Sequence, residues 1–393
     1  MGITSDQTSP MAAAELVGDP YGSYARLREE GPVQRITGLD GLPAWLVTRY
    51  ADVRQVLADP RLALDKSHAR PGNYRGLALP AALDANLLNM DAPDHTRVRR
   101  LVSQAFTPRR IEQLREPVQR IADELLDAVA PLGRADLITA YAAPLPITVI
   151  CDLLGVPPED RRDFRAWTDV LIAPDPARPE AAKAAVVAMV EFFALLITRK
   201  RTEPADDLLS ALVAVRDHDD RLTEDELTSL AFLILFAGYE NTVHLIGNAV
   251  LALFDHPDQL AALRAEPALI GAAIEEFARY DGPAPLAIRR FPVEALTIGG
   301  VTVLLVLASA NRDPQQFADP DRLDLSRQET GHLALGHGIH YCLGAPLARL
   351  ETEIALATLL RRFPALALDV PRDELRHRPS LRARGLLALP VRY

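Results

Sequence analysis

The stretch from Thr223 to Pro257 constrains the fold more than any other. Thr223-Glu224-Asp225-Glu226 has the form of a capping box, in which the side chains at the first and fourth positions satisfy each other's backbone N–H. Asp255-His256-Pro257 closes the segment, and the residues between carry apolar side chains at helical spacing. The pattern predicts one helix from 224 to about 254, ~45 Å long at 1.5 Å per residue. A helix of that length crosses a whole domain, so its middle belongs to the core. In that middle stands Ala237-Gly238-Tyr239-Glu240-Asn241-Thr242. A mid-helix glycine costs about 1 kcal/mol relative to alanine, and close passage over a flat ligand is one reason to keep it.

The rest of the chain reads mainly as helix. Apolar periodicity predicts helices over Tyr50–Leu57, Thr96–Ala105, Arg110–Val129 and Pro179–Arg199, and two more begin at Pro257 and Pro267. Strand patterns occupy Ala44–Thr48, Leu296–Ile298, Val301–Leu307 and Leu386–Val391, the last expected to pair with one of the others. The class is mainly α with a small, mostly antiparallel β part. No linker, repeat or low-complexity tract divides the 393 residues, so residues 1–393 read as a single domain. A net charge of −10 argues against a nucleic-acid binder, which carries a basic face or stripe. The N-terminus lacks a basic segment followed by an apolar one. The strongest apolar run, Leu227–Phe236, falls far short of the roughly 18–20 continuous residues of a membrane span. A cytoplasmic, monomeric protein with no membrane segment is expected.

Two cysteines are present. Cys151 lies in the apolar stretch Ile147–Leu154 and reads as a small buried hydrophobe. Cys342 lies in Leu335-Gly336-His337-Gly338-Ile339-His340-Tyr341-Cys342-Leu343-Gly344-Ala345-Pro346. Glycines on both sides let the backbone approach a large flat ligand. Pro346 opens a helix whose apolar positions are 347, 350, 354, 355, 358 and 359. Cys342 therefore precedes a helix N-terminus, where the macrodipole and free N–H groups favour a thiolate. His337 and His340 stand three apart, as a metal pair would, but further zinc ligands are lacking nearby.

This loop resembles the haem-binding loop of the cytochrome P450 family, Phe-x-x-Gly-x-x-x-Cys-x-Gly, with Leu335 at the position of the leading Phe. Further segments resemble the same family in the same order. Glu276-Phe277-Ala278-Arg279 matches its Glu-x-x-Arg structural pair, and the resemblance implies a later basic partner, with Arg322 expected. Asn311-Arg312-Asp313-Pro314 is similar to bacterial members. The resemblance implies haem propionates held by His95, Arg99, Arg290 (or Arg289) and His340. It implies haem b with an axial thiolate from Cys342, Gly336 and Gly344 shaping the loop, and Ala237 and Gly238 passing over the ring. Ala237–Thr242 matches the family's Ala-Gly-x-Glu/Asp-Thr pattern, whose acid and alcohol help deliver protons. Glu240 keeps the acid. Asn241 replaces the alcohol, and Thr242 follows one residue later, about 100° further round the helix. A second departure is the absence of the family's Pro-Ala-Gly turn after Val303.

What the resemblance implies is a single-domain P450 fold and a soluble bacterial monooxygenase that inserts one oxygen atom from O2 into a lipophilic natural product, such as a polyketide or macrolide. Electrons would come from a ferredoxin and its NAD(P)H-dependent reductase. Arg97, Arg100, Arg109, Arg110 and Arg349 would form the local basic patch that steers the ferredoxin. The rival readings are a haem-thiolate protein that binds or recruits without catalysis, and an enzyme driven directly by peroxide, against which Glu240 argues. The segments that resemble substrate contacts are Leu62–Leu88, Leu171–Ala185, Phe236–Ala237 and Pro285–Ile288.

Overall fold

The structure is a computed structural model, and it describes all residues except 1–12, 19, 39–40, 70–71, 73, 75–78, 173–177, 218–221 and 295–301. Its central element is the helix Glu224–Asp255. The capping box forms as expected: the Glu226 N–H donates to the Thr223 hydroxyl at 3.1 Å, and the Thr223 N–H to the Glu226 carboxylate at 2.8 Å. Every residue from Thr242 to Leu253 is buried, so this half of the helix has no solvent face. It packs against Ala81–Asp84, Pro144–Leu154, Ile270–Asp281 and Ala345–Arg362. Two helices, Pro179–Thr202 and Glu224–Asp255, are long and apolar enough to cross a membrane by length and composition. The second owes this to its place in the core, where 61% of its most apolar window is buried.

Tyr50–Leu57 forms with the expected ends and a helix begins at Pro257, while Thr96–Ala105 starts at Asp94 and Pro179–Arg199 runs on to Thr202. Arg110–Val129 is two helices, Pro108–Gln113 and Arg115–Val129, joined at Leu114. Thr107 caps the first by accepting from the Arg110 N–H, which starts it earlier than the apolar pattern indicates. The segment around Cys151 is the buried helix Pro144–Leu154, which ends on the left-handed Gly155.

The β part is small. Val33–Thr37 pairs antiparallel with Pro43–Val47, which pairs parallel with Thr302–Leu305. Leu62–Ala63 pairs antiparallel with Phe291–Pro292. The strand expected over 301–307 stops at Leu305, and Leu307–Ala310 turns into a short buried helix. The C-terminal strand corrects the sequence reading. Pro390–Arg392 pairs with Arg134–Asp136 and Ala367–Leu368, not with any strand named from the pattern. Those partners are two and three residues long, too short for a periodic signal. Leu296–Ile298 lies outside the described residues, whereas after Val303, where the family's turn would stand, the strand Thr302–Leu305 runs on without one.

Candidate active site

Cys342 is positioned by a turn that only glycine adopts without strain. Gly336 and Gly338 have φ of +77° and +75°. The chain then doubles back, and the Cys342 N–H donates to the Leu335 carbonyl at 2.9 Å. The helix Ala345–Arg362 starts three residues later with proline in its first turn. The sulfur thus meets the backbone N–H groups of Gly344 and Ala345. Burial pushes the thiol pKa up, while these N–H groups and the guanidiniums of Arg99 and Arg349 pull it back. Coordination to a metal removes the proton from such a thiol outright. Cys151 differs: it is almost fully buried, and burial pushes its pKa up to about 12.

Beside this loop, His95, Arg99, Arg290 and His340 come together from three separate parts of the chain. The rings of His95 and His340 lie 4.0 Å apart. Arg99 donates to the Tyr341 carbonyl at 2.8 Å. Arg290 is only 2% exposed, and burial pushes its pKa down to about 10. Burial, and then the neighbouring His95, Arg290 and Arg99, push His340 down to about 3. Both ring nitrogens of His95 and Nε2 of His340 are buried without a hydrogen-bond partner. Among the described residues no carboxylate pairs with Arg99 or Arg290. Asp91 is near, but its oxygens accept from the N–H groups of Leu64 and Asp65. Buried donors left without an acceptor are costly, and together they fit a ligand that brings carboxylates of its own. The propionates of a haem would meet that description. Arg289, the fallback for Arg290, lies elsewhere, stacked 4.4 Å over the Tyr74 ring.

On the long helix, Phe236, Ala237 and Asn241 are exposed although the elements around them form the core. Asn241 donates from Nδ2 to the Ala237 carbonyl at 3.1 Å, one turn back. Its amide N–H is therefore partly committed to the helix, and Oδ1 is the atom left to hold water. Thr242 turns inward and is buried. Its hydroxyl donates to the Gly238 carbonyl at 3.0 Å and also meets the carboxyl of Glu351. Glu351 is fully enclosed, and burial pushes its pKa well above the usual carboxylate range. Glu240 lies 3.3 Å from the ring Nε2 of His244. A Cβ added at Gly238 would come within 3.2 Å of Ile150 Cδ1, so the glycine also eases packing against Pro144–Leu154.

The Glu276–Arg279 pair forms a buried, saturated network. Arg279 makes two bonds to Glu276, at 2.7 and 2.8 Å, and reaches the carbonyls of Asn311, Pro320 and Arg322. The basic partner is Arg327, 3.2 Å from Glu276, and not Arg322, which contributes only its carbonyl. Arg327 lies five residues further on, across turns whose path spacing does not reveal. Of the five patch arginines, Arg97 pairs with Glu226, Arg110 with Asp206 and Arg349 with Glu275. The sequence reading missed His244 and Glu351. Glu351 had left a signal, an acid on the inward register shared with Leu347, Ile354 and Ala355.

The family described as Cytochrome P450 matches residues 177–381. The chain is 50% identical to the cytochrome P450 monooxygenase PikC of Streptomyces venezuelae, over 96% of this chain and 92% of that protein. It is 46% identical to the 6-deoxyerythronolide B hydroxylase of Saccharopolyspora erythraea, over 95% of this chain and 96% of the relative. The solved structure of the P450 monooxygenase TamI with tirandamycin C superposes with a TM-score of 0.87, at 45% identity, over 98% of this chain and 100% of that one.

Proposed function

The chain belongs to the cytochrome P450 family and is a monooxygenase that binds haem through a cysteine thiolate, and from that premise we propose a role for each residue of the site. Cys342 would hold the haem iron through its thiolate, within one domain spanning residues 1–393. His95, Arg99, Arg290 and His340 hold the propionates, Gly336 and Gly344 shape the loop, and Ala237 and Gly238 flank the ring. The haem, when bound, supplies the activation of O2, which a thiolate ligand promotes. The chain's own residues position the substrate, limit water and supply protons. Glu240 is the proton source, and water held by Oδ1 of Asn241 carries the proton into the cavity. Thr242, turned away, supports the helix from behind.

The substrate is a lipophilic natural product of the polyketide or macrolide kind, a reading supported by the relatives' names, one of which is a 6-deoxyerythronolide B hydroxylase and another a structure holding tirandamycin C. Oxygen insertion gives an alcohol or an epoxide. A ferredoxin and its reductase deliver electrons to a monomer in the cytoplasm. The ferredoxin docks on the face where the exposed Arg109 follows Pro108, beside Pro346 and Arg349 of the helix that starts behind Cys342.

One observation carries the assignment: two arginines without a carboxylate partner among the described residues, and two histidines with unpartnered ring nitrogens, lie beside the cysteine that precedes a helix start. The test is Cys342→Ser. The wild type reconstituted with haem, ferredoxin and reductase gives the red-shifted Soret band of the reduced carbon monoxide complex and turns over substrate. Loss of both in Cys342→Ser is the expected result, and a variant that kept both would overturn the ligand assignment.

A further inference from the structure

His244 stands one helical turn after Glu240 and is 2% exposed. Its Nε2 lies 3.3 Å from Oε1 of Glu240, while its Nδ1 is buried without a partner. Behind the ring runs the hairpin bridged at His377 and Leu386, with Arg378 donating to the Gly385 carbonyl at 2.8 Å. Any side chain on Gly385 would overlap the His244 ring. The hairpin is in turn tied to the long helix, since Asn248 donates to the Arg384 carbonyl at 2.9 Å. The imidazole is therefore held between the helix and the hairpin with one nitrogen aimed at the carboxylate.

We propose that His244 is the positioning residue for Glu240, donating from Nε2–H to its carboxylate and fixing the direction from which a proton enters the cavity. A proton on Nδ1 would be a buried donor with no acceptor, the costlier arrangement, so the surroundings select the Nε2–H tautomer. Without that bond the Glu240 side chain is free to take several rotamers on a part-exposed turn, and its reach to the water at Asn241 is no longer defined. Gly385 completes the device, because only a residue without a side chain leaves the ring its place. The inference rests on the reading of Glu240 as proton source.

The test uses the haem-loaded protein. In the diamagnetic reduced carbonyl form, nitrogen NMR of labelled histidine should show His244 locked as the Nε2–H tautomer, alongside His332, whose Nδ1 accepts from the Ala334 N–H and whose Nε2 faces Glu275. The His244 signal should vanish in His244→Gln and shift in Glu240→Gln. In turnover, His244→Leu should raise the share of NAD(P)H lost to peroxide by roughly fivefold, the worth of one ordinary hydrogen bond. His244→Gln, which keeps a donor at similar reach, should restore most of the coupling. Gly385→Ala, which displaces the ring without altering it, should uncouple in the same direction. In a Glu240→Ala background His244→Leu should add nothing, because the two act as one unit. Effects that add in that double variant, or a His244→Leu protein with wild-type coupling, would overturn the positioning role and leave Glu240 standing. A Glu240→Ala protein with unchanged coupling would overturn the proton-source reading itself, and this inference with it.

Discussion

Two buried clusters in this molecule each centre on an arginine and differ in what surrounds it. Around Arg279, the guanidinium reaches Glu276 twice and three backbone carbonyls, and Arg327 covers the other side of the acid. Around Arg290, a cation equally buried meets two histidines and a second arginine, and no carboxylate of the described residues pairs with it. A closed network is part of the scaffold, since each member already has its partners. An open one marks the place where a ligand supplies the missing charge. The distinction lies in whether the chain itself supplies the carboxylate that the buried arginine needs.

The comparison breaks most visibly at Arg279. Arg279→Ala leaves Glu276 and Arg327 in a network built for three members and should cost about 3–5 kcal/mol. Denaturant unfolding of the purified protein checks this, and a loss below about 1 kcal/mol would mean that the network is not the scaffold element described. Next in size is Arg290→Met. In the loaded protein it should weaken haem retention by roughly 1–3 kcal/mol, because a propionate loses a charged donor. In the haem-free protein the same change removes an uncompensated buried cation, so stability should stay level or rise. Haem transfer to apomyoglobin reads the first effect and thermal unfolding of the apoprotein reads the second. Opposite signs in the two states are expected at Arg290, whereas Arg279→Ala should destabilise both.

Asn241 lies between these extremes, with one amide hydrogen committed to Ala237 and Oδ1 free. Asn241→Ala should raise peroxide leakage by about threefold to tenfold, in keeping with loss of one hydrogen bond to water, and Asn241→Thr should recover much of the coupling. Unchanged coupling in Asn241→Ala would remove the residue from proton delivery. The smallest effect is expected on the outer face. Arg349 is held by Glu275 in two bonds, at 2.6 and 2.8 Å, so its charge is largely spent within the chain. Arg109 is exposed and forms no ion pair among the described residues. Arg109→Glu should therefore slow first electron transfer from ferredoxin more than Arg349→Ala does, by a factor of a few at low salt. The difference should fade as ionic strength rises. Equal rates at every salt concentration would place the docking surface elsewhere.

The sequence by itself determined what local rules control. The capping box at Thr223, the length of the long helix, the glycine turn before Cys342 and the helix start after it depend on residues within a few positions of one another, and each formed as the pattern predicts. The strong resemblance of the Cys342 loop also marked the ligand candidate before any contact was known. Tertiary structure alone decided the choices between chemically equal candidates: Arg327 over Arg322 at Glu276, Arg290 over Arg289 beside His95, Thr242 facing Glu351 while Asn241 faces outward, and His244 set against Gly385 from a hairpin some 140 positions away. It also decided that the C-terminal strand joins Arg134–Asp136, a partner too short to announce itself. The physical reason is the same in each case. Periodicity and capping are encoded within one element, whereas the satisfaction of a buried charge depends on which distant backbone carbonyl or carboxylate the folded chain brings within hydrogen-bonding distance.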